Sequence, residues 1–155
     1  MVNWQFLQNR LSDVLNLYRN DSVTVCIGGR PVKLVAVYLS PLRSLVDADL
    51  FGGGTPVLLA GDLNAKHKDW NSRLNSPRGV LLREFASTNS CIVFGPVSPT
   101  SIHTVILDVL DIVVVKNFVL PVNRTVCSAL SSDHFPVTID FRGRSSFQAF
   151  QTGPA

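Results

Sequence analysis

Polar side chains interrupt or end apolar runs at four places in this sequence, and their types limit the chemistry that a shared site could perform. The four places are Tyr38 after LVAV, Asp62 and Asn64 after VLLA, Asp108 and Asp111 within VILDVLDIVVV, and Asp133 with His134 before FPVTIDF. A buried ionised carboxylate is costly unless it is paired or binds a metal. We therefore interpret the four places as converging on one site rather than as separate accidents.

The residue types favour one kind of reaction over another. A histidine beside several carboxylates, an asparagine and a tyrosine would suit metal-assisted attack of water on a phosphoryl group. Oxygen ligands favour magnesium or manganese over zinc, which prefers His and Cys. The competing interpretation is a serine hydrolase with His134 as base and Asp111 as the orienting carboxylate. However, no Gly-x-Ser-x-Gly occurs, and Ser131 and Ser132 lie too close in sequence to His134 to be an obvious nucleophile.

Each of these places also has a simpler structural interpretation. The Gly-Asp-Leu-Asn segment could be a polar turn, whereas in an extended chain Asp62 and Asn64 would share a face. Asp108 could be a surface residue where a strand begins, and Tyr38 could be a half-buried core aromatic. If VILDVLDIVVV is one strand, the spacing of three puts Asp108 and Asp111 on opposite faces, which predicts different roles.

Composition predicts one globular domain. The chain has 155 residues, of which 46% are hydrophobic and 16% charged, and this is too apolar for a disordered protein. The net charge of +3 is compatible with a polyanionic partner, but the basic residues, including Lys66 and Lys68, are scattered as on an ordinary solvated surface. The longest apolar stretch is too short to span a bilayer, and no secretory signal is found. The three cysteines, Cys26, Cys91 and Cys127, predict buried thiols in a reducing compartment.

Hydrophobic periodicity predicts an α/β (α+β) fold with mixed or antiparallel sheets. Residues 4–19 have helical spacing, SVTVCI and KLVAVYL predict a hairpin, and GVLLREFASTN predicts a second helix. Further strands are predicted at VLLA, CIVFG, VILDVLDIVVV, VLPVNRTVCS and FPVTIDF, the last of which precedes a small, polar tail.

Three motifs follow one another along the chain in the order GDLNAKH..W.S, DVLDIVVVKN and SSDHFPV. Together they resemble the endonuclease/exonuclease/phosphatase superfamily, and more closely the apurinic-type endonuclease domain of jockey-like non-LTR retrotransposons. VAVYLSP resembles the tyrosine-bearing strand of that family, and NSPRGVLLREFAS matches its Asn, Gly and following helix. The resemblance covers about residues 23–142. It implies a partial four-layer sandwich of mixed and antiparallel sheets flanked by helices.

The resemblance implies a catalytic role for five residues. Asp62 would orient and help deprotonate the attacking water, and Asn64 would hold a phosphate oxygen. Tyr38 would donate a hydrogen bond to the phosphate. His134 would contact the scissile phosphate and stabilise its developing charge, while Asp111 would fix the imidazole.

The resemblance also implies that Asp133, together with Asp62, would bind the divalent ion, magnesium or manganese. No family role carries over to Asp108. His67 and His103 are interpreted as loop residues. Trp70 is interpreted as a packing residue rather than one that stacks on a base.

Parts of the family pattern are not found. The family begins with a strand ending in Asn and a strand bearing a metal-binding Glu, but the chain's only glutamate, Glu84, lies in the predicted second helix. We therefore expect residues 1–20 to be a helical segment outside the family, residues 21–142 to be the C-terminal part of the domain, and residues 143–155 to be a flexible tail. Missing opening strands would leave one sheet with an exposed edge.

The resulting expectation is a metal-dependent DNA endonuclease of a retrotransposon, weakened by truncation. Its partners would be DNA and a reverse transcriptase domain in the parent polyprotein, without a membrane, in the nucleus or cytoplasm. Two alternatives stay open. One is a relic that folds and at most binds nucleic acid, and the other is a phosphatase of the same superfamily acting on a small phosphoester.

Overall fold

The computed structural model describes residues 22–39, 51, 53–103, 106–118, 122–126, 135, 137–141 and 149–150. The strands are β1 (Ser22–Ile27), β2 (Arg30–Tyr38), β3 (Val57–Asp62), β4 (Ile92–Phe94), β5 (Ser101–His103), β6 (Ile106–Asp108), β7 (Asp111–Lys116), β8 (Val122–Val126), β9 (Val137–Phe141) and β10 (Ala149–Phe150). Helix α1 spans Pro77–Thr88, and a short 3-10 helix spans Lys68–Trp70. The helix predicted over residues 4–19 lies outside the described residues, as do Cys127, Asp133 and His134.

A six-stranded sheet forms the centre of the described structure, in the order β10-β1-β2-β3-β7-β4. Strands β2 and β3 are parallel, and the other neighbouring pairs are antiparallel. The sheet is therefore mixed, and the predicted α/β class is confirmed. Two short antiparallel pairs, β5 with β6 and β8 with β9, lie outside this sheet.

Strand β3 is buried on both faces, as its unbroken apolar run requires. Alternate residues of β3 and β7 belong to two different cores. One core includes Leu59 and packs against Leu82 of α1, and the other includes Leu58 and packs against Val137 and Ile139 of β9. Strand β9 therefore covers the face of the central sheet that α1 does not.

Local sequence signals explain several elements. The predicted hairpin is confirmed as β1 and β2, with Gly28 and Gly29 both at positive φ in its turn. The helix predicted from GVLLREFASTN is confirmed as α1. Its N-cap is Ser76, whose side chain accepts a hydrogen bond from the Gly79 N–H, and Pro77 follows in the first turn.

The predicted long strand VILDVLDIVVV is wrong, because the segment is divided between β6 and β7. Thr100 explains the division: its hydroxyl accepts hydrogen bonds from the backbone N–H groups of Leu110 and Asp111, where a continuous strand would have ladder partners. The interpretation of His103 as a loop residue is also wrong, since it ends strand β5.

Within the segment predicted as a flexible tail, residues 143–155, the structure pairs Ala149–Phe150 with β1 as strand β10. One further expectation needs correction. Cys26 and Cys91 are free thiols, but each is only partly buried rather than part of the core. Burial nevertheless raises the pKa of the Cys91 thiol above its usual value.

In the part of the chain that the structure describes, no helix is long and apolar enough to cross a membrane.

Candidate active site

Three of the predicted site residues form a row across the middle of the central sheet. Tyr38 pairs with Asp62 across the parallel strands β2 and β3, and Asp62 pairs with Asp111 across the antiparallel strands β3 and β7. Paired positions on neighbouring strands point to the same face of a sheet. By the alternation along β3 and β7, the row lies on the face that packs against β9. The structure therefore brings Tyr38, Asp62 and Asp111 together.

A close approach of strands β2 and β3 sets the position of Asp62. Gly61 has a φ of +144°, a backbone conformation that L side chains rarely adopt. A Cβ atom at this position would collide with the carbonyl oxygen of Val37. Glycine is therefore required immediately before Asp62 for β3 to reach its last residue in register with Tyr38.

Asn64 reaches the site in a way that the sequence did not predict. Strand β3 ends at Asp62, and Asn64 is left-handed with a φ of 48°, so the argument from a shared face does not apply. Instead, the Asn64 N–H donates to Oδ1 of Asp62 at 2.8 Å, and its Nδ2 donates to the Leu39 carbonyl at 2.9 Å. The Gly-Asp-Leu-Asn segment thus ends strand β3, and its Asn64 is joined to Asp62 by a hydrogen bond.

Exposure distinguishes the three members of the row. Tyr38 is 60% exposed, which contradicts its interpretation as a half-buried core aromatic. Asp62 is buried at 7%, and Asp111 has intermediate exposure. The row therefore presents a solvent-accessible phenol beside a buried carboxylate, Asp62, and then a partly exposed one, Asp111.

Thr100, which sequence reasoning missed, connects three segments around Asp111. It is completely buried, its hydroxyl accepts from the Asp111 N–H at 3.1 Å, and its N–H donates to the Asp108 carbonyl at 2.9 Å. Its carbonyl accepts the Phe135 N–H at 2.7 Å. Thr100 therefore links Phe135, which follows His134 in the sequence, to the start of β7.

Asp108 has a structural role that the sequence did not assign. Its side chain is buried, so its interpretation as a surface residue is wrong. Lys66 Nζ lies 2.8 Å from its Oδ2, and the N–H groups of Arg73 and Val109 donate to its Oδ1, each at 3.0 Å. Burial acts to raise the pKa of Asp108, but the Lys66 ammonium and the two N–H donors outweigh it and hold that pKa below its ordinary value.

Trp70 and His67 stabilise the loop between Asp62 and α1. Trp70 is 2% exposed, and its Nε1 donates to the Ala65 carbonyl at 2.8 Å, which confirms that it is a packing residue. His67 is a buried loop residue whose ring lies 4.9 Å from that of Trp70. Its Nδ1 accepts a hydrogen bond from the Asp69 N–H at 3.1 Å. Both rings are buried, and these contacts hold them within the loop.

The oxygen donors of the row, Asp62 and Asp111, are compatible with a magnesium ion. Among the described residues, no three His, Cys, Asp or Glu side chains come together as a metal site. Asp62 and Asp111 are nevertheless adjacent oxygen donors, and magnesium is held in proteins by one or two carboxylates together with water and phosphate oxygens. Glu84 is exposed on α1, as its position in the predicted helix implied.

Comparison with known families decides the assignment. The family model described as endonuclease-reverse transcriptase matches residues 32–138. The chain belongs to the endonuclease-reverse transcriptase family. The match includes Tyr38, Asp62, Asp111 and His134 in one segment, and the suspected resemblance is confirmed. No curated protein sequence matches the chain.

A solved structure shares the fold of this member of the endonuclease-reverse transcriptase family. The endonuclease domain of TRAS1, a telomere-specific non-LTR retrotransposon, matches with a TM-score of 0.67 at 20% sequence identity. The match covers 80% of this chain and 62% of that chain, so this chain spans less than two thirds of the TRAS1 domain. At this identity, the likeness shows the fold alone.

Proposed function

We propose that this chain is a divalent-metal-dependent DNA endonuclease domain of a non-LTR retrotransposon. The observation that carries the proposal is the row of Tyr38, Asp62 and Asp111 across three neighbouring strands. A phenol and two carboxylates at the same end of three neighbouring strands are groups that can bind a phosphate and activate water. Membership of the endonuclease-reverse transcriptase family supports DNA as the substrate.

In this proposal, Asp62 orients the attacking water and accepts its proton. Its Oδ1 already accepts the Asn64 N–H, which fixes the direction of the carboxylate. The Asn64 amide has two N–H groups, so it can hold a phosphate oxygen in addition to its bond with the Leu39 carbonyl. Tyr38 is exposed enough to donate its hydroxyl proton to the same phosphate group.

His134 and Asp133 complete the proposed site from outside the described residues. We propose that His134 stabilises the charge that develops on the phosphate, with Asp111 orienting its imidazole. The hydrogen bond from Phe135 to Thr100 supports this, because it brings the residue after His134 to the partner of Asp111. Asp133 and Asp62 would hold magnesium or manganese, which when bound supplies positive charge to the phosphoryl group in an in-line displacement.

The decisive experiment is plasmid nicking by the 155-residue chain. Supercoiled plasmid is incubated with the protein in Mg²⁺, in Mn²⁺ and in excess EDTA, beside the His134→Ala variant. We expect nicking that needs the metal and that His134→Ala reduces by about 10²-fold or more. Equal nicking by the two proteins would overturn the catalytic assignment.

A domain that binds DNA without cutting it is the second candidate. The observation in its favour is that the sole glutamate, Glu84, lies exposed on α1, so this sequence offers no glutamate ligand near Tyr38. If neither protein nicks plasmid but both shift a DNA duplex in a gel, this candidate replaces the nuclease. In either case, we propose DNA as the partner, a reverse transcriptase in the parent polyprotein, and an intracellular location.

A further inference from the structure

The segment between Asp62 and α1, residues 63–76, is called the site loop below, and Lys66 is fixed within it by backbone contacts. The Lys66 N–H donates to the Ser76 hydroxyl at 3.1 Å, and the Lys66 carbonyl accepts the Ser76 N–H at 2.9 Å. Gly79 of α1 packs so closely on this carbonyl that a Cβ would collide with it. The Lys66 side chain therefore extends toward Asp108 from a backbone that is already held in place.

Asp108 holds the site loop at a second point. While Lys66 pairs with its Oδ2, the Arg73 N–H donates to its Oδ1 at 3.0 Å. The neighbouring Ser72 hydroxyl also donates to the Val109 carbonyl at 2.9 Å. One carboxylate thus joins both halves of the site loop to the end of β6, three residues before Asp111.

The Lys66–Asp108 pair differs from an ordinary surface ion pair. The Asp108 side chain is 4% exposed and that of Lys66 is 31% exposed, whereas Asp69 and Arg83 form a pair in which both side chains are more than half exposed. Exposed pairs hold their partners loosely because water competes for both charges. A buried carboxylate fixed by an ammonium and two N–H donors has little freedom to move.

We infer that Lys66 and Asp108 are positioning residues that hold the site loop, with Asn64 near its start and Asp62 just before it, at a fixed distance from Asp111. The pair is a side-chain link between the two motifs that supply these residues, in addition to the pairing of β3 with β7. The expected effect of the pair on the nicking rate rests on the proposed function, but its expected effect on the order of the site loop does not. Displacement of catalytic groups by about 1 Å can cost about 10²-fold in rate, so a loosened link should be visible in activity.

Activity measurements test the catalytic consequence. Lys66→Met removes the ammonium, and Asp108→Asn removes the charge but keeps an oxygen for the Arg73 N–H. We expect each to lower the kcat of nicking by about 10- to 100-fold, with KM for the plasmid changed by less than about 3-fold. Lys66→Arg should restore most of the rate, and Arg83→Met, which removes an exposed cation, should leave it unchanged.

A double variant keeps the test valid if a single variant unfolds. Lys66→Met with Asp108→Asn leaves no lone buried charge, so it should fold at least as well as Lys66→Met alone. If the two residues act as one unit, its kcat should be no lower than that of the worse single variant. A double variant that loses the product of the two single effects would overturn the inference, as would loss of rate in Lys66→Arg equal to that in Lys66→Met.

Amide hydrogen exchange tests the link without relying on nicking. In Lys66→Met with Asp108→Asn, the N–H groups of Asn64 and Asp111 should exchange roughly tenfold faster, while those of Leu59 and Val114 in the central strands should not change. If the unmodified chain does not nick plasmid, the proposed function fails, but this exchange pattern still supports the link. Unchanged exchange at both Asn64 and Asp111 would overturn it.

Discussion

Asp62, the last residue of β3, stands directly opposite Asp111, the first residue of β7. Directly opposed residues of an antiparallel pair have Cβ atoms about 4.5–5.5 Å apart, and like charges placed there repel. The sheet therefore puts two carboxylates where a cation or a protonated imidazole is the favoured neighbour.

The first prediction concerns the effect of Asp62 on nicking and on stability. Asp62→Asn should reduce plasmid nicking by about 10²-fold or more, because the amide cannot accept the proton of water. Its free energy of unfolding, measured with urea, should change by less than about 1 kcal/mol, since repulsion with Asp111 is relieved as the carboxylate is lost. Asp69→Asn is the matched control, and nicking equal to that control would contradict the role of Asp62.

Thr100→Val should destabilise the start of β7. The substitution keeps the shape but removes the hydroxyl that accepts the N–H groups of Leu110 and Asp111, at a cost of about 1–3 kcal/mol in urea unfolding. Thr100→Ser keeps an acceptor and should lose less than half as much. The expectation fails if the two variants unfold at the same urea concentration.

Trp70→Phe tests whether the indole N–H stabilises the site loop. Phenylalanine fills most of the same volume but leaves the buried Ala65 carbonyl without its donor, so the free energy of unfolding should fall by about 1–3 kcal/mol. Val97→Ala is the control: this side chain is 87% exposed, and its loss should change stability by less than about 0.5 kcal/mol. Equal effects would show that the hydrogen bond contributes nothing.

Gly61→Ala should be far more damaging than another glycine substitution. The added methyl would meet the Val37 carbonyl at a φ of +144°, so we expect a loss of about 3 kcal/mol or more in urea unfolding. Gly54→Ala is the matched control because no atom lies within 4 Å of the added carbon. A soluble, fully stable Gly61→Ala protein would mean that β2 and β3 do not approach as described.

Stability should depend on pH through Asp108. Its pKa in the folded chain lies below 3.8, the ordinary value that applies after unfolding, so the folded chain binds fewer protons. The resulting stabilisation is complete above about pH 4 and is lost as the pH falls through the lower, folded pKa. Urea midpoints measured from pH 6 to pH 2.5 should therefore fall less steeply in Asp108→Asn than in the unmodified chain. Parallel curves would contradict the shift.

The sequence was most informative where a polar residue ends an apolar strand. Tyr38 and Asp62 could be placed together because both follow buried runs, and the structure pairs them across β2 and β3. The hairpin and helix α1 were also predictable, since the hairpin turn contains two glycines and Ser76 with Pro77 marks a helix start. These signals are local, and each depends on only a few neighbouring residues.

The contacts that hold the site could not be predicted in the same way. Lys66 was counted among scattered surface cations, although a carboxylate such as Asp108 in an apolar run needs a cation from somewhere else in the chain. No local sequence signal marks Thr100, because it stabilises the site through four hydrogen bonds to backbone groups that are remote in sequence. The division of VILDVLDIVVV into β6 and β7 followed from Thr100 and was therefore missed as well.

The neighbours of β3 in the central sheet have a consequence for how the protein is made. On one side β3 pairs with β2, which precedes it, but on the other side it pairs with β7, which is synthesised much later. A nascent chain that has emerged from the ribosome only as far as α1 contains Asp62 without Asp111. Any cutting activity would therefore be withheld until translation has passed β7, and the unpaired side of β3 would be open to chaperones in the meantime.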